Sequence, residues 1–356
     1  GLSGAGGRWG PRAHVPALKG VPEAELYAVC TAHADTARAA ADKSGVARAY
    51  GSDKLLNADP QVEAVAVAVR VPAHYQLSKD AIQAGKHVFC EWPLGANTKE
   101  AEDLAALARE KNVRTMVGLQ RRASPAYSYM RELIQQGYVG EVLAVNMMLM
   151  NSGVLTRTAD RTWQRDVTLG ANTLTITFAH VFDAMCMVVG ELTEVSAMVS
   201  TQVPRWFESD TKKYVDVTSP DNVAVQGRLE NGAIVNAYCG VQPYHGSGHR
   251  LEIYGKEGTL AMIGGGEGGE ERRRKIVGGH KDDKALQELI VPERFTWVPE
   301  AVRNSGPAYD VGQLWVKFAE GIRTGSKIDS DFDHAVRRHR TLDAIVRASQ
   351  TGQRQK

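Results

Sequence analysis

Cysteine is scarce and scattered. Cys30, Cys90, Cys186 and Cys239 lie far apart, form no Cys-x-x-Cys pair and each sit in an apolar stretch. That spacing argues against a disulfide framework or a thiolate zinc site, and for buried free thiols in a reducing, cytoplasmic setting. Net charge is nearly absent too: 43 Lys and Arg stand against 41 Asp and Glu, a formal +2. No global attraction to nucleic acid or to an acidic membrane follows, and neither is an expected partner. Long hydrophobic runs are missing: stretches such as residues 62–69 fall far short of the ~20 residues that cross a bilayer, and no charged-then-apolar segment opens the chain. There is no internal repeat. What is present is ordinary: 356 residues, 43% hydrophobic and 24% charged, enough for a substantial core.

The first half alternates short β-branched runs with Ala-rich helical stretches, the pattern of parallel strands joined by crossover helices. Residues 26–31, 62–69, 87–90 and 115–118 read as strands, and 34–44, 75–84 and 98–112 as helices. Asn97 or Thr98, followed by Glu100 and Glu102, makes a good helix start. After about residue 123 the texture changes. A helix over 125–136 precedes longer alternating runs at 142–150, 194–201, 222–229, 233–240 and 250–254, with Asn231-Gly232 as a strong hairpin signal between two of them. The sequence therefore predicts an α/β protein with two domains: a doubly wound parallel sheet over 1–123, and over 124–356 a second domain of different architecture built on a mainly antiparallel sheet. Residues 264–279, rich in glycine and charge and containing Arg272-Arg273-Arg274-Lys275, read as a solvated surface loop. Two amphipathic helices, 309–324 and 332–349, close the chain.

The chain opens on Gly1-Leu2-Ser3-Gly4-Ala5-Gly6-Gly7, a run that permits a tight turn and close backbone approach to a phosphate. Read as G-x-S-x-x-G, it uses Gly1, Ser3 and Gly6, with Gly4, Gly7 and Trp9 beside them. The strand that should lead into such a turn is expected to be missing, because no residues precede it. About twenty residues on, where a carboxylate would hold the ribose hydroxyls of NAD, the chain carries Thr31-Ala32-His33. Without that carboxylate a 2′-phosphate is not repelled, and Thr31, His33 and Arg38 are candidates to contact it. The cofactor is thus NAD or NADP, with the balance toward NADP.

Four further segments narrow the reading: Ala13-His14-Val15-Pro16-Ala17-Leu18, Val71-Pro72-Ala73-His74-Tyr75, Cys90-Glu91-Trp92-Pro93-Leu94 and Ala179-His180-Val181-Phe182-Asp183. In order and spacing they resemble the glucose-fructose oxidoreductase, inositol dehydrogenase and MocA (Gfo/Idh/MocA) family of nicotinamide-dependent enzymes. The resemblance covers nearly the whole chain and is sharpest over residues 1–190. It implies an N-terminal Rossmann domain followed, over 124–356, by an α/β domain with an open, mainly antiparallel sheet that binds substrate and mediates oligomerisation. It also implies that Glu91, Trp92 and Pro93 lie beside the nicotinamide, that Arg70, Val71, Pro72 and His74 line the same cleft, and that Gln120 and Arg122 match a polar pair after the last Rossmann strand.

Departures from the family pattern shape the chemistry. The family's Glu-Lys-Pro lysine is Trp92 here, and an indole cannot titrate, although it can stack on a ring and donate one N–H bond. The aspartate expected four residues before His180 is Ile176. His180 is left as the candidate acid/base, with Asp183 one helical turn away to orient it. The Glu-Trp-Pro-Leu stretch also resembles the branch containing the yeast galactose-regulon repressor, which makes a non-catalytic nucleotide sensor the alternative. A third possibility is a nicotinamide used transiently during elimination or epimerisation. Substrate-side candidates are Trp92, Arg122, Trp163, Arg165, His180 and Tyr238, with Gln164, Tyr214, Tyr244 and His245 as weaker ones, the composition expected around a hydroxylated ring. The reading is an NAD(P)-dependent oxidoreductase acting on a hydroxyl or carbonyl of a sugar-like or other cyclic polar small molecule, with no metal, expected as a homodimer or homotetramer.

Overall fold

The computed structural model describes residues 1–264 and 274–356. The chain separates into two compact units, one of Gly1–Ala123 with Thr296–His339 and one of Ser124–Phe295 with Arg340–Lys356.

The first unit is built on six parallel strands: β1 (Leu2–Ser3), β2 (Ala28–Cys30), β3 (Arg48–Tyr50), β4 (Ala64–Val67), β5 (His87–Glu91) and β6 (Thr115–Gly118), in the order β3-β2-β1-β4-β5-β6. The order reverses at β1, between β2 and β4, which is where doubly wound sheets read their ligands. The place of the strand expected to be missing holds the two residues of β1. Leu2 pairs with Val29 on one side and Ala66 on the other, and both β1 residues are buried. Between strands run α1 (Val15–Gly20), α2 (Ala34–Ser44), α3 (Asp53–Ala58), α4 (His74–Gln83) and α5 (Thr98–Glu110). In α2 the small residues Ala37, Ala40, Ala41 and Ser44 fall on one buried face, and in α5 Ala101, Leu104, Ala105 and Ala108 do the same. The Asn97 side chain caps α5 by accepting from the Glu100 amide at 3.0 Å.

The second unit opens with α6 (Pro125–Gln135), β7 (Val142–Ser152), the short β8 (Thr156–Arg157) and α7 (Ala179–Val189). There follow β9 (Leu192–Ser200), β10 (Arg205–Glu208), β11 (Lys213–Asp216), β12 (Asn222–Leu229), β13 (Ile234–Gln242), β14 (Gly248–Gly255), β15 (Gly258–Ile263), β16 (Lys275–His280) and β17 (Gln287–Glu288). Eight of these strands form a sheet in the order β17-β16-β15-β14-β7-β13-β12-β9, every pair antiparallel except β13 with β7. β8, β10 and β11 form a separate three-stranded sheet. The Asn231-Gly232 turn joins β12 to β13, with Asn231 Oδ1 accepting from the Ala233 amide at 3.1 Å. One face of the large sheet carries Val145, Met147, Leu149, Val225, Val235, Ala237 and Cys239, buried beneath α7 and the helical turns before it. The opposite face leaves Met198 (73% exposed), Met148, Ile234 and Tyr254 open.

Three expectations need correction. Of the loop expected over 264–279, residues 275–279 belong instead to β16 (Lys275–His280), and residues 265–273, including Arg272 and Arg273, lie outside the described ones. The second domain does not take the whole of 124–356. Residues 296–339, with α8 (Glu300–Arg303), α9 (Pro307–Thr324) and the start of α10 (Phe332–Thr351), belong to the first unit. The reason is the stripe Ala308, Val311, Leu314, Trp315 and Phe318 on α9, which shares one core with Leu2, Ala13, Leu18, Phe89 and Met116. Each large apolar side chain withdrawn from water there contributes about 1.5–3 kcal/mol. Finally, Val167–Val189 is long and apolar enough, at mean hydropathy 1.3, to cross a bilayer, but its most apolar part is mostly buried inside the protein, as in a core helix.

Candidate functional site

In the first unit, β1 runs straight into Gly4-Ala5-Gly6-Gly7. The Gly4 amide donates to the Cys30 carbonyl at 3.1 Å and the Gly7 amide closes the turn on the Gly4 carbonyl at 2.9 Å. Gly4 has φ +98°, and a Cβ there would lie 2.3 Å from the Ala68 carbonyl oxygen. The tight turn is thus made by Gly4, whereas Gly1 and Ser3 serve the sheet: Gly1 bonds the β4 backbone at Ala64 and Ala66. Gly6 and Gly7 are exposed, and the chain then enters a helical segment, Gly10–His14, that continues as α1. Among the described residues, the solvent-shielded Trp9 Nε1 has no hydrogen-bond partner. An exposed diglycine backbone, room that a Cβ would fill and a waiting indole N–H are what a pyrophosphate needs, so the residues fit a dinucleotide.

At the carboxyl end of β2, the hydroxyls of Thr31 and Thr36 lie 2.6 Å apart and 2.9 and 3.0 Å from the His33 carbonyl, so one hydroxyl donates to the other and the second donates to that carbonyl. The His33 side chain is exposed at the start of α2. Arg38 is not brought to this edge. Its guanidinium donates to Asp42, one turn on in α2, and to the carbonyls of Val46 and Ala47 in the segment that follows the helix, so the side chain runs toward the carboxyl end of α2 and away from the β2 end.

Glu91 ends β5 and is held on two sides. His14 Nε2 lies 2.7 Å from Oε1, and Gln120 Nε2 donates to Oε2 at 2.6 Å. Gly118 leaves the necessary space, since a Cβ there would sit 2.7 Å from Oε2. Trp92 follows, joined to Pro93 by a cis peptide. Its indole is not presented to a ligand ring: it is 4% exposed and packs against the His339 imidazole, centroids 4.8 Å apart. His74 does not line a surface either. It is buried, its Nδ1 2.7 Å from the Pro93 oxygen and its Nε2 3.2 Å from the Val69 oxygen; a neutral ring has one N–H and donates to only one of them, the Pro93 oxygen being the nearer. Burial holds its pKa below the ordinary histidine value, against the pull of those two carbonyls. Arg70 and Pro72 are exposed around the turn Val71–Ala73, and Arg122 is half-buried in the turn Gln120–Ala123. All four cysteines are buried free thiols, with burial raising Cys30 to about 11.

In the second unit, Asn172 and Thr175 cap a π-helical segment, Thr173–Phe178, that runs directly into α7. Such wide turns recur at functional sites. His180, half-buried, is the second residue of α7, and Asp183, with no exposed surface, follows one turn later. Trp163 is half-buried in the turn Ala159–Arg165. The Arg165 carbonyl accepts from the Thr218 and Ser219 amides, and its Nη1 donates to the Asp216 carbonyl. Gln164 is tied into the same stitching through Ser219. Tyr238 cannot share a pocket with His180. On β13 it alternates with the buried Ala237 and Cys239, so it faces away from the helical layer and donates to Asn222 at 2.6 Å. Tyr214 and Tyr244 are exposed and His245 has φ +50°. Sequence reasoning named His14 without giving it a role and did not single out Trp315 or His339. Trp315 donates to His14 across a separation of 301 residues, which no local pattern signals.

Residues 1–119 match the family model described as oxidoreductase family, NAD-binding Rossmann fold, and residues 125–264 match that of the Gal80p C-terminal domain. The dehydrogenase aclE of Aspergillus oryzae is 33% identical over 92% of this chain and 88% of its own. The chain belongs to the Gfo/Idh/MocA oxidoreductase family. Solved structures with this fold include levoglucosan dehydrogenase in complex with NADH and L-sorbose (TM-score 0.84, 21% identity, 99% of this chain and 97% of that one). They also include the transcriptional regulator Gal80p of Kluyveromyces lactis (TM-score 0.85, 19% identity, 100% and 90%). A dehydrogenase and a transcriptional regulator thus share this fold.

Proposed function

We propose that this protein is an NAD(P)-dependent oxidoreductase that moves hydride to or from a hydroxyl or carbonyl carbon of a sugar-like or other cyclic polar small molecule. The observation that carries the reading is the Gly4–Gly7 turn at the order reversal of a six-stranded parallel sheet. A bound nicotinamide supplies the hydride acceptor or donor. This chain's residues supply the rest: the Gly4–Gly7 backbone and Trp9 hold the pyrophosphate, Glu91 and Pro93 frame the ring, and His180 takes the hydroxyl proton or returns it. Asp183 orients the imidazole. Trp92, buried and untitratable, leaves His180 without a lysine to share that work. Thr31 and His33 at the β2 edge, with no carboxylate between them, favour NADP over NAD. Arg122, Trp163 and Arg165 remain substrate-side candidates, and a second copy of the chain is the expected occupant of the open sheet face around Met198.

A second reading, a nucleotide-binding regulator, is supported by the match of residues 125–264 to the Gal80p C-terminal domain. One experiment separates the two: nicotinamide absorbance followed with each coenzyme across a panel of sugars, cyclitols and aryl alcohols, for wild type and His180→Ala. Turnover that the substitution abolishes supports the enzyme; tight coenzyme binding with no change of redox state on any substrate supports the regulator. Product without net absorbance change would mark a transient oxidation.

A further inference from the structure

We infer that His14 is a positioning residue, held in one tautomer by Trp315 so that it always donates to Glu91 and ties the helical segment after the glycine turn to the Glu-Trp-Pro turn. The argument begins with the inventory of protons. An indole Nε1–H only donates, and that of Trp315 lies 3.2 Å from His14 Nδ1, so Nδ1 offers a lone pair. A ring with one N–H then carries it on Nε2, which donates to Glu91 Oε1 2.7 Å away. A second proton on Nδ1 would set two donors head to head. The ring has no freedom to escape the arrangement. It is 0% exposed, its edge meets Phe89 at 5.1 Å and 74° and Trp315 at 6.1 Å and 85°, and Phe318 packs behind both.

The lock has a place in the fold that gives it meaning. His14 ends the helical segment Gly10–His14, which follows the Gly4–Gly7 turn; Glu91 ends β5 and opens Glu-Trp-Pro; Gln120 on the next turn holds the other carboxylate oxygen. Pyrophosphate and nicotinamide are to be held by different segments, and the spacing between those segments is set by the His14–Glu91 bond. The bond is largely shielded, with Glu91 8% exposed, and losing its donor leaves a mostly buried carboxylate oxygen without that partner.

The functional half of the inference rests on the nucleotide reading above, whereas the tautomer is a property of the protein alone. The test joins the two. In ligand-free wild-type protein, nitrogen NMR of His14 should show a proton on Nε2 and none on Nδ1; Trp315→Phe should admit the Nδ1–H form. NADH titration should show affinity about tenfold weaker in His14→Ala. In His14→Gln, whose amide nitrogen can replace Nε2 as donor, affinity should return to within about threefold of wild type. A structural filler role would lower stability in both variants without that difference in rescue. A proton found on Nδ1 in wild type, or equal NADH affinity in wild type and a folded His14→Ala, overturns the inference. Should His14→Ala fail to fold, the tautomer and His14→Gln affinity decide. If wild type takes up neither coenzyme, the nucleotide reading and the functional half fail, and the NMR result still decides the lock.

Discussion

Replacing Gly4 by alanine attacks the claimed phosphate cradle at one atom. The added Cβ would stand 2.3 Å from the Ala68 carbonyl oxygen, 2.7 Å from its carbon and 3.0 Å from Val69 Cγ1, and the first two are backbone atoms that no side-chain rotation can move. The residue must also keep φ +98° or rebuild the turn that the Gly7 amide closes on the Gly4 carbonyl. A non-glycine residue in such a conformation costs on the order of 1–3 kcal/mol before any overlap is counted. For a domain of this size each kcal/mol lowers the melting temperature by roughly 2–4 °C. The turn will relieve the overlap by moving away from β4, so the loss in coenzyme affinity should exceed the loss in stability. Thermal melts and NADH titrations, run side by side on wild type and Gly4→Ala, measure both. A fall in affinity of about tenfold or more, corresponding to roughly 1.4 kcal/mol or more, with a folded protein is expected. A variant that melts lower but binds NADH as wild type does would show that the pyrophosphate lies elsewhere, and the reasoning would fail.

Other expectations follow from the same geometry. His180→Ala should lower turnover by about 10²-fold or more with coenzyme affinity unchanged, as loss of a general acid/base requires; steady-state rates on any active substrate check it. His33→Asp places a carboxylate at the β2 edge, where it should weaken NADPH binding by about tenfold or more and leave NADH nearly untouched, and aspartate is a good helix cap, so folding should not suffer. Burial pushes His339 down to about 4 from 6.5. Its unfolded form takes the proton first, so stability is full above about pH 6.5 and falls as pH drops toward 4, by about 3 kcal/mol in all. Denaturation of His339→Phe should show a shallower loss than wild type over that interval; parallel curves would contradict it.

Local physics was legible in the sequence, and long-range assembly was not. α2, β6 and β12 form over the expected residues, because small-residue periodicity, β-branched alternation and the Asn231-Gly232 turn act within a few positions. β3 and α3 were not read: three and six residues are too few for either period to declare itself. The assignment of 296–339 to the first unit depends on which core the α9 stripe meets, which no composition shift marks. The same limit governs the site. The glycines announced a tight turn, but that Gly4 rather than Gly1 makes it follows from sheet register. Arg38 is in range of the β2 end by number and is drawn off by Asp42 and by the Val46 and Ala47 carbonyls just past its own helix. The exception is Tyr238, whose outward orientation was readable from the alternation of β13.

The central claim is that a dinucleotide lies on the Gly4–Gly7 turn with its reactive ring at the end of β5. Determination of the structure with NADH at saturating concentration tests it most directly. The account predicts pyrophosphate oxygens within hydrogen-bond reach of that turn and the nicotinamide beside Glu91 and Pro93. Density for the coenzyme at any other place, or for none at all in crystals that tolerate the soak, would contradict it.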